Sequence, residues 1–221
     1  ASDVYKRQDY NGAKTYLSSD GLVFYSDTIS STDSITVIKT EEVAQEIKLN
    51  LNGNTINSVK MGDKLLTKND AYVTSENGIT LEGLYLKTLS TGNYQLTISY
   101  NPQDVRYVEG KGDEPATTDI TVQVNKKMLA SSDFNVESTS ALYNGKQQGA
   151  IVRWNNSNTG PNYTVFYKKE GDTKPLVDQD GNYIEPTDVG VYDVFVKVEG
   201  DGNYEEVNDL LIGDFETVSY T

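Results

Sequence analysis

The motif Gly-x-Tyr-x-(Leu/Val)-x-(Ile/Val) occurs twice, as Gly92-Asn93-Tyr94-Gln95-Leu96-Thr97-Ile98 and as Gly190-Val191-Tyr192-Asp193-Val194-Phe195-Val196. The copies begin 98 residues apart (190 minus 92). Glycine permits a sharp turn, and the alternation after it places every second residue on one face of a strand. A tyrosine just inside such a strand can bury its ring and return its hydroxyl to upstream backbone, the tyrosine corner of sandwiches about 100 residues long. Two copies at this spacing predict an all-β chain of two tandem immunoglobulin-like β-sandwiches, with Tyr94 and Tyr192 at the corners.

The 221 residues have room for two such sandwiches, and sixteen tyrosines supplement a hydrophobic fraction of only 36%. No stretch keeps an apolar period of 3.6 residues. Strand patterns instead recur every eight to twelve or so residues. They include 22–25, 35–38, 43–51, 55–59, 71–74, 78–81, 93–100 and 118–124, then 150–154, 163–167, 183–184, 191–198 and 213–218. Asn52-Gly53 reads as a two-residue hairpin turn returning along Thr55–Val59, since both residues tolerate positive φ. A second hairpin is expected around Glu76-Asn77-Gly78. Leu81–Leu89 is the one stretch with a helical pattern, a turn or two long.

A net charge of −14 excludes a nucleic-acid role, which needs clustered Lys and Arg, and argues against an anionic membrane surface. It suits a solvated surface meeting neutral ligands, cations or basic partners. With no histidine and no cysteine, the chain lacks the usual zinc ligands, the usual general base, Ser-His-Asp and Cys-His triads, and disulfides. No segment reaches the roughly 18–20 apolar residues that span a bilayer, so no membrane insertion is expected. No cofactor is called for.

Residues 1–29 read as a lead-in. Within it, residues 1–8 are expected to carry no fold information, because Asp3-Val4-Tyr5-Lys6-Arg7-Gln8 matches the translation of a transposase end sequence used in preparing sequencing libraries. The first sandwich is expected at 30–124, a linker at 125–130 and the second sandwich at 131–221. The chain reads as a piece of a larger protein.

The first sandwich resembles the X2 carbohydrate-binding-associated family. The resemblance rests on Leu51-Asn52-Gly53-Asn54-Thr55-Ile56 with Val59, on Leu65-Leu66 and Asp70-Ala71-Tyr72, and on Tyr85-Leu86-Lys87-Thr88-Leu89-Ser90-Thr91-Gly92. It departs from the family pattern at Asn69, where a glycine is usual, and at Ala71, which separates Asp70 from Tyr72. The second sandwich, over about 130–219, resembles the MBG-type bacterial Ig-like repeat. Its matches are Tyr143-Asn144-Gly145-Lys146, Tyr167-Lys168, Pro186–Tyr192, Gly202-Asn203-Tyr204 and Leu211–Phe215. These resemblances imply non-catalytic modules of secreted or surface-displayed bacterial proteins. The implied partners are polysaccharide or cell wall and other domains of a larger surface protein.

Candidate sites are few. Carboxylate pairs such as Glu41-Glu42 and Glu205-Glu206 are expected from composition alone and carry no catalytic pair. Asp178-Gln179-Asp180-Gly181-Asn182 resembles half a calcium loop but lacks the closing glutamate, since its twelfth position is Val189, so a hairpin turn is expected. Glu199–Asn203 reads likewise. Lys146 is a conceivable donor for an isopeptide cross-link, though a surface lysine beside a turn accounts for it. Sugar rings stack on aromatic faces, which makes Tyr85, Trp154 and Tyr163 the candidate carbohydrate-binding residues. Trp154 also alternates with Val152 and Ala150 as a core residue would. The expected function is a non-catalytic extracellular spacer or presentation module of a polysaccharide-associated protein. Two alternatives remain open, a carbohydrate- or cell-wall-binding module and a protein-binding adhesin stalk.

Overall fold

The computed structural model describes residues 13–156 and 159–219. Residues 1–8, the suspected carry-over, lie outside them. The chain divides between Asn125 and Lys126 into two compact units, each an all-β immunoglobulin-like sandwich.

In the first unit, β1 (Thr15–Ser18) and β2 (Gly21–Phe24) form a separate hairpin. The sandwich then runs β3 (Ile29–Ser30), β4 (Ser34–Ile38), β5 (Gln45–Asn50), β6 (Thr55–Met61), β7 (Lys64–Leu65), β8 (Tyr72–Ser75), β9 (Gly78–Leu81), β10 (Gly92–Asn101) and β11 (Thr117–Asn125), with a four-residue helix α1 (Gly83–Leu86) before β10. One sheet has the order β4-β11-β10-β6-β7, with β4 parallel to β11; the other has the order β3-β5-β9-β8. Placing the first and last strands of one sheet side by side in parallel, with the two sheets exchanging strands along the chain, is the immunoglobulin wiring.

That wiring corrects one expectation. Asn52 (φ 47°) and Gly53 (φ 91°) do take positive φ, yet β5 and β6 do not pair. β5 lies between β3 and β9, whereas β6 lies between β7 and β10. The turn therefore carries the chain from one sheet to the other, and Ile47 and Leu49 join Val59 and Met61 in one core cluster. The second expected hairpin is real: β8 pairs with β9 through Ser75 and Gly78. A side chain at position 78 would collide with the Ile47 carbonyl 2.0 Å away, so only glycine lets β9 lie against β5.

The lead-in also holds more structure than its sequence indicates. Tyr16 and Tyr25 are buried in the first unit's core, and Tyr16 packs on Tyr107 at a ring separation of 5.8 Å. Thr15 ties this hairpin to the 101–117 loop, its N–H and hydroxyl both donating to Asp113 Oδ2 at 3.0 and 2.8 Å. These bonds hold the Asp113 carboxyl below its usual range.

The second unit contains β12 (Phe134–Val136), β13 (Ser140–Leu142), β14 (Val152–Trp154), β15 (Tyr163–Lys169), β16 (Gly190–Val198) and β17 (Val207–Val218). Its main sheet, β13-β17-β16-β15, again places the parallel pair β13–β17 at one side. Among the described residues only the pair β12–β14 faces it. The expected strand at 183–184 is an isolated bridge from Tyr183 to Val177. The core divides into two small clusters. One holds Leu129, Phe134, Val196, Val198 and Tyr204; the other holds Tyr167, Tyr192, Val194 and Phe215.

Candidate functional site

Asn52 and Asn54, from one of the strings that carry the X2 resemblance, are largely engaged with backbone. Asn54 is 3% exposed. Its carboxamide accepts from the Ser26 N–H (3.1 Å) and donates to the Ser26 carbonyl (2.6 Å) and Thr28 Oγ1 (3.2 Å). Asn52 Nδ2 donates to the Asp27 carbonyl at 2.6 Å. The Gln103 amide donates to Ser26 Oγ and, at 3.1 Å, to the Asn52 carbonyl. These amides fasten residues 26–28 to the start of β6, where an unpaired buried carboxamide would be costly.

Around this string lies an open groove of about 650 Å³. Residues 49–56 form one wall, and Lys68 with 74–77 forms the other. Leu49, Leu51 and Ile56 supply apolar lining. Asn50, Thr55 and Ser75 are already engaged, accepting from Asn52 N, Asn101 Nδ2 and Asn77 N respectively. Lys68 and Glu76 bring one charge of each sign. Local spacing gave no sign that 49–56 and 74–77 share a groove; the β5–β9 and β8–β9 pairings bring them together.

The three aromatic candidates are placed apart. Tyr85, on α1, is half-buried with the Lys64 ammonium 5.7 Å from its ring centroid. Its hydroxyl is buried without a partner among the described residues, and burial, then the nearby Tyr94, push its pKa up. Trp154 meets Phe134 and Tyr204 edge to face at 5.4 and 5.6 Å. Gly160 lies so close to its indole that a Cβ there would fall 2.6 Å from the ring. Tyr163 packs edge to face on Phe134 at 5.2 Å and donates its hydroxyl to the Val152 carbonyl at 3.0 Å. Trp154 and Tyr163 thus share one packed cluster, and Tyr85 belongs to the other unit.

The corner tyrosines act alike. Tyr94 donates to the Ser90 carbonyl and Tyr192 to the Asp188 carbonyl, each four residues upstream at 2.9 Å.

The two acidic strings are turns. Asp178 accepts from the N–H groups of Asp180 (2.9 Å) and Asn182 (2.8 Å) and from Asn182 Nδ2 (3.1 Å). The Asn182 bonds lead in holding its carboxyl below the usual range. Asp201 closes the other turn onto the N–H groups of Asn203 and Tyr204. Among the described residues no group of three or more acidic side chains is placed to hold a metal ion. Among the described residues Asp133 is the buried carboxylate. Burial alone would raise its pKa, yet the Ala130 N–H, Lys127 and Asn156 together bring it below the usual value. Lys127 Nζ stands 3.1 Å away and Asn156 Nδ2 donates at 3.1 Å. Lys146 is exposed in its turn.

A further aromatic group, on the outward side of the β15–β16 pair, was not singled out from sequence. Phe166 stacks on Tyr183 at 4.8 Å and on Phe195 at 5.3 Å, with interplanar angles of 16° and 15°. The alternation Tyr163-Thr164-Val165-Phe166-Tyr167 was its only signal, since it turns Phe166 away from the two tyrosines.

Residues 30–106 match the family described as carbohydrate binding domain X2, so the chain contains a carbohydrate-associated module. No curated protein is similar enough in sequence to count as a relative. Among solved structures, a tri-modular GH5 endo-beta-1,4-glucanase from Bacillus licheniformis in complex with cellotetraose is 10% identical. The match covers 88% of this chain and 39% of that one, with a TM-score of 0.34. The SGBP-B protein of a Bacteroides ovatus mixed-linkage glucan utilization locus, in complex with a heptasaccharide, is 16% identical over 87% and 48% of the two chains, with a TM-score of 0.29. A titin fragment, A168169, is 10% identical over 88% and 99%, with a TM-score of 0.35. This chain thus spans well under two thirds of the glucanase and SGBP-B chains. No helix among the described residues is long and apolar enough to cross a membrane.

Proposed function

We propose that this chain is a non-catalytic spacer and presentation segment of an extracellular, polysaccharide-associated bacterial protein. In this reading the X2-type module is followed by a second Ig-like repeat of the MBG kind. One observation carries the reading: the amides of Leu51–Ile56, one of the strings that carry the X2 resemblance, are spent within the module, Asn54 above all, rather than converging on a ligand. Each sandwich then works as a stiff bead, its strand ladders and core resisting deformation while it holds neighbouring domains away from one another or near a polymer.

Two measurements test this. The full chain should turn over no member of a panel of cellulose, xylan, mixed-linkage glucan and peptidoglycan. Asn54→Ala should lower stability by about 1–3 kcal/mol, the cost of orphaning buried partners, without changing retention on any of those polymers. Turnover of any of them, or lost retention in a still-folded Asn54→Ala protein, would reject the spacer role.

A second reading, in which the first unit itself grips sugar, is favoured by the groove beside residues 51–56, with apolar Leu49, Leu51 and Ile56 beside Lys68, Thr74, Glu76 and Asn77. Under it, Lys68→Ala and Asn77→Ala would each weaken retention of the polymer.

A further inference from the structure

The second unit has an aromatic row on the outward side of its main sheet. Phe166 on β15 and Phe195 on β16 are direct cross-strand partners, and Phe195 is in turn paired with Leu211 on β17. Tyr183 reaches over from the 170–189 connection and stacks on Phe166. The row thus reads Tyr183, Phe166, Phe195, Leu211 across the strands, with ring centroids 4.8 and 5.3 Å apart. Phe166 is covered at 2% exposure, but Tyr183 is 39% and Leu211 48% exposed. The row is therefore open at both ends. One face of the Tyr183 ring is taken by Phe166, and its hydroxyl makes no hydrogen bond within the described residues.

A fixed polar pair lies beside the rings. Lys168 Nζ donates to both Asp209 oxygens, at 2.8 and 2.7 Å, and sits 4.2 Å from the Phe195 centroid. The Asp209 side chain is 54% exposed, so its remaining lone pairs face water.

Tyr183 is also held in advance. The Ile184 N–H donates to the Leu176 carbonyl, and the Leu176 N–H donates to the Tyr167 carbonyl on β15. The turn between them is closed on the Asp178 carboxylate. A ring fixed before binding loses little conformational freedom when a ligand stacks on it.

We propose that this row is a contact site for a neutral β-linked glucan chain. Pyranoses with equatorial hydroxyls present flat C–H faces, which suit aromatic and aliphatic surfaces, and rim hydroxyls, which suit a fixed ammonium–carboxylate pair. The net charge of −14 disfavours acidic polymers. The proposal rests on the chain being carbohydrate-associated, and it adds a site in the unit that the X2 family match does not cover. Tyr183 supplies the stacking face, Leu211 extends the apolar surface, and Asp209, held in place by the largely covered Lys168, accepts from the hydroxyls.

Native affinity electrophoresis of the full chain tests it, with mixed-linkage β-glucan or hydroxyethylcellulose in the gel and glycogen and polygalacturonate as separate arms. The β-glucans should retard the protein more than either other polymer does. Tyr183→Ala should weaken that affinity about tenfold, equivalent to 1.4 kcal/mol, with Tyr183→Phe restoring most of it. Leu211→Lys, at an exposed position, should also weaken it without altering the melting temperature, whereas Tyr143→Ala, an exposed tyrosine elsewhere in the unit, should not. Absence of retardation by either β-glucan would overturn the site, as would unchanged retardation in both Tyr183→Ala and Leu211→Lys. Stronger retardation by polygalacturonate or glycogen would overturn the ligand class. None of these results bears on catalysis or on Asn54, so the spacer reading stands or falls separately.

Discussion

The first unit closes its sandwich with strands, the second with side chains. Between β6 and β10 the first unit uses residues 62–91 to lay down β7, β8, β9 and α1; β8 and β9 complete a four-stranded sheet, and β7 joins the five-stranded one. Between β15 and β16 the second unit has only residues 170–189, and they form no strand. β14 therefore pairs with β12 alone. Two inward tyrosines on β15 serve the backbone beside it: Tyr163 donates to the Val152 carbonyl, and Tyr167 accepts from the Ala150 N–H at 2.8 Å. A buried backbone group needs a partner, but the partner need not be a strand. Phe134, Trp154, Tyr163 and Tyr204 pack edge to face in the core beside the β12–β14 pair.

The largest expected effect tests whether the smaller core is the weaker one. Phe215→Ala removes a fully buried ring from a four-residue cluster and should cost about 3–5 kcal/mol. In calorimetry the second unit's transition should disappear or fall far below the first's. Leu96→Ala in the larger core should cost about 2–5 kcal/mol and leave its unit folded. Equal tolerance of the two changes would remove the contrast.

Next come the tyrosines that replace a strand. Tyr163→Phe and Tyr167→Phe should each destabilise the second unit by about 1–3 kcal/mol, because each orphans a backbone group, and should leave the first unit's melting unchanged. Urea titration followed by Trp154 fluorescence reads this directly, since the only tryptophan lies in the second unit.

Alkaline pH separates two kinds of buried phenol. Burial pushes both Tyr25 and Tyr167 up to about 12, although the bond from the Ala150 N–H partly opposes this in Tyr167. A folded pKa above the unfolded value of about 10 means that the folded state holds its proton more tightly. The associated stability is complete below about pH 10 and is lost as pH rises through about 12. Both units should weaken across that window, as seen by tyrosinate absorbance and circular dichroism. The Tyr25 hydroxyl has no hydrogen-bond partner among the described residues, so Tyr25→Phe should cost little at neutral pH and blunt the first unit's alkaline loss. Tyr167→Phe should lose stability already at neutral pH.

The smallest effect should be the same in both units. Tyr94→Phe and Tyr192→Phe each remove one hydroxyl-to-carbonyl bond four residues upstream and should cost about 0.5–1.5 kcal/mol. A markedly larger loss in either unit would mean that its corner does more than close a turn.

Much of the fold was legible because strand alternation is a local property. β4, β6, β10, β11, β15 and β16 fall close to their expected positions, since buried residues at every second place leave a period-2 record in the sequence. The Asn52-Gly53 turn was legible as a conformation and misread as a hairpin. Local chemistry sets φ, whereas the choice of partner strand depends on residues 78–81 and 92–101, far along the chain. Trp154 and Tyr163 were legible as aromatic and partly inward. That they share a cluster with Phe134 and Tyr204 depends on ring contacts up to fifty residues apart in the chain, from position 154 to position 204.

By itself the sequence determined the all-β class, the pair of corner tyrosines and the absence of histidine and cysteine chemistry, because each follows from residue type or short-range spacing. Tertiary structure alone decided that Asn54 ties residues 26–28 to β6, that tyrosine hydroxyls stand in for a strand beside β14, and that Tyr183, Phe166 and Phe195 line up into one row. Each of these joins residues distant in the chain, and which distant residues meet is set by how the sheets pair and pack, not by any local pattern.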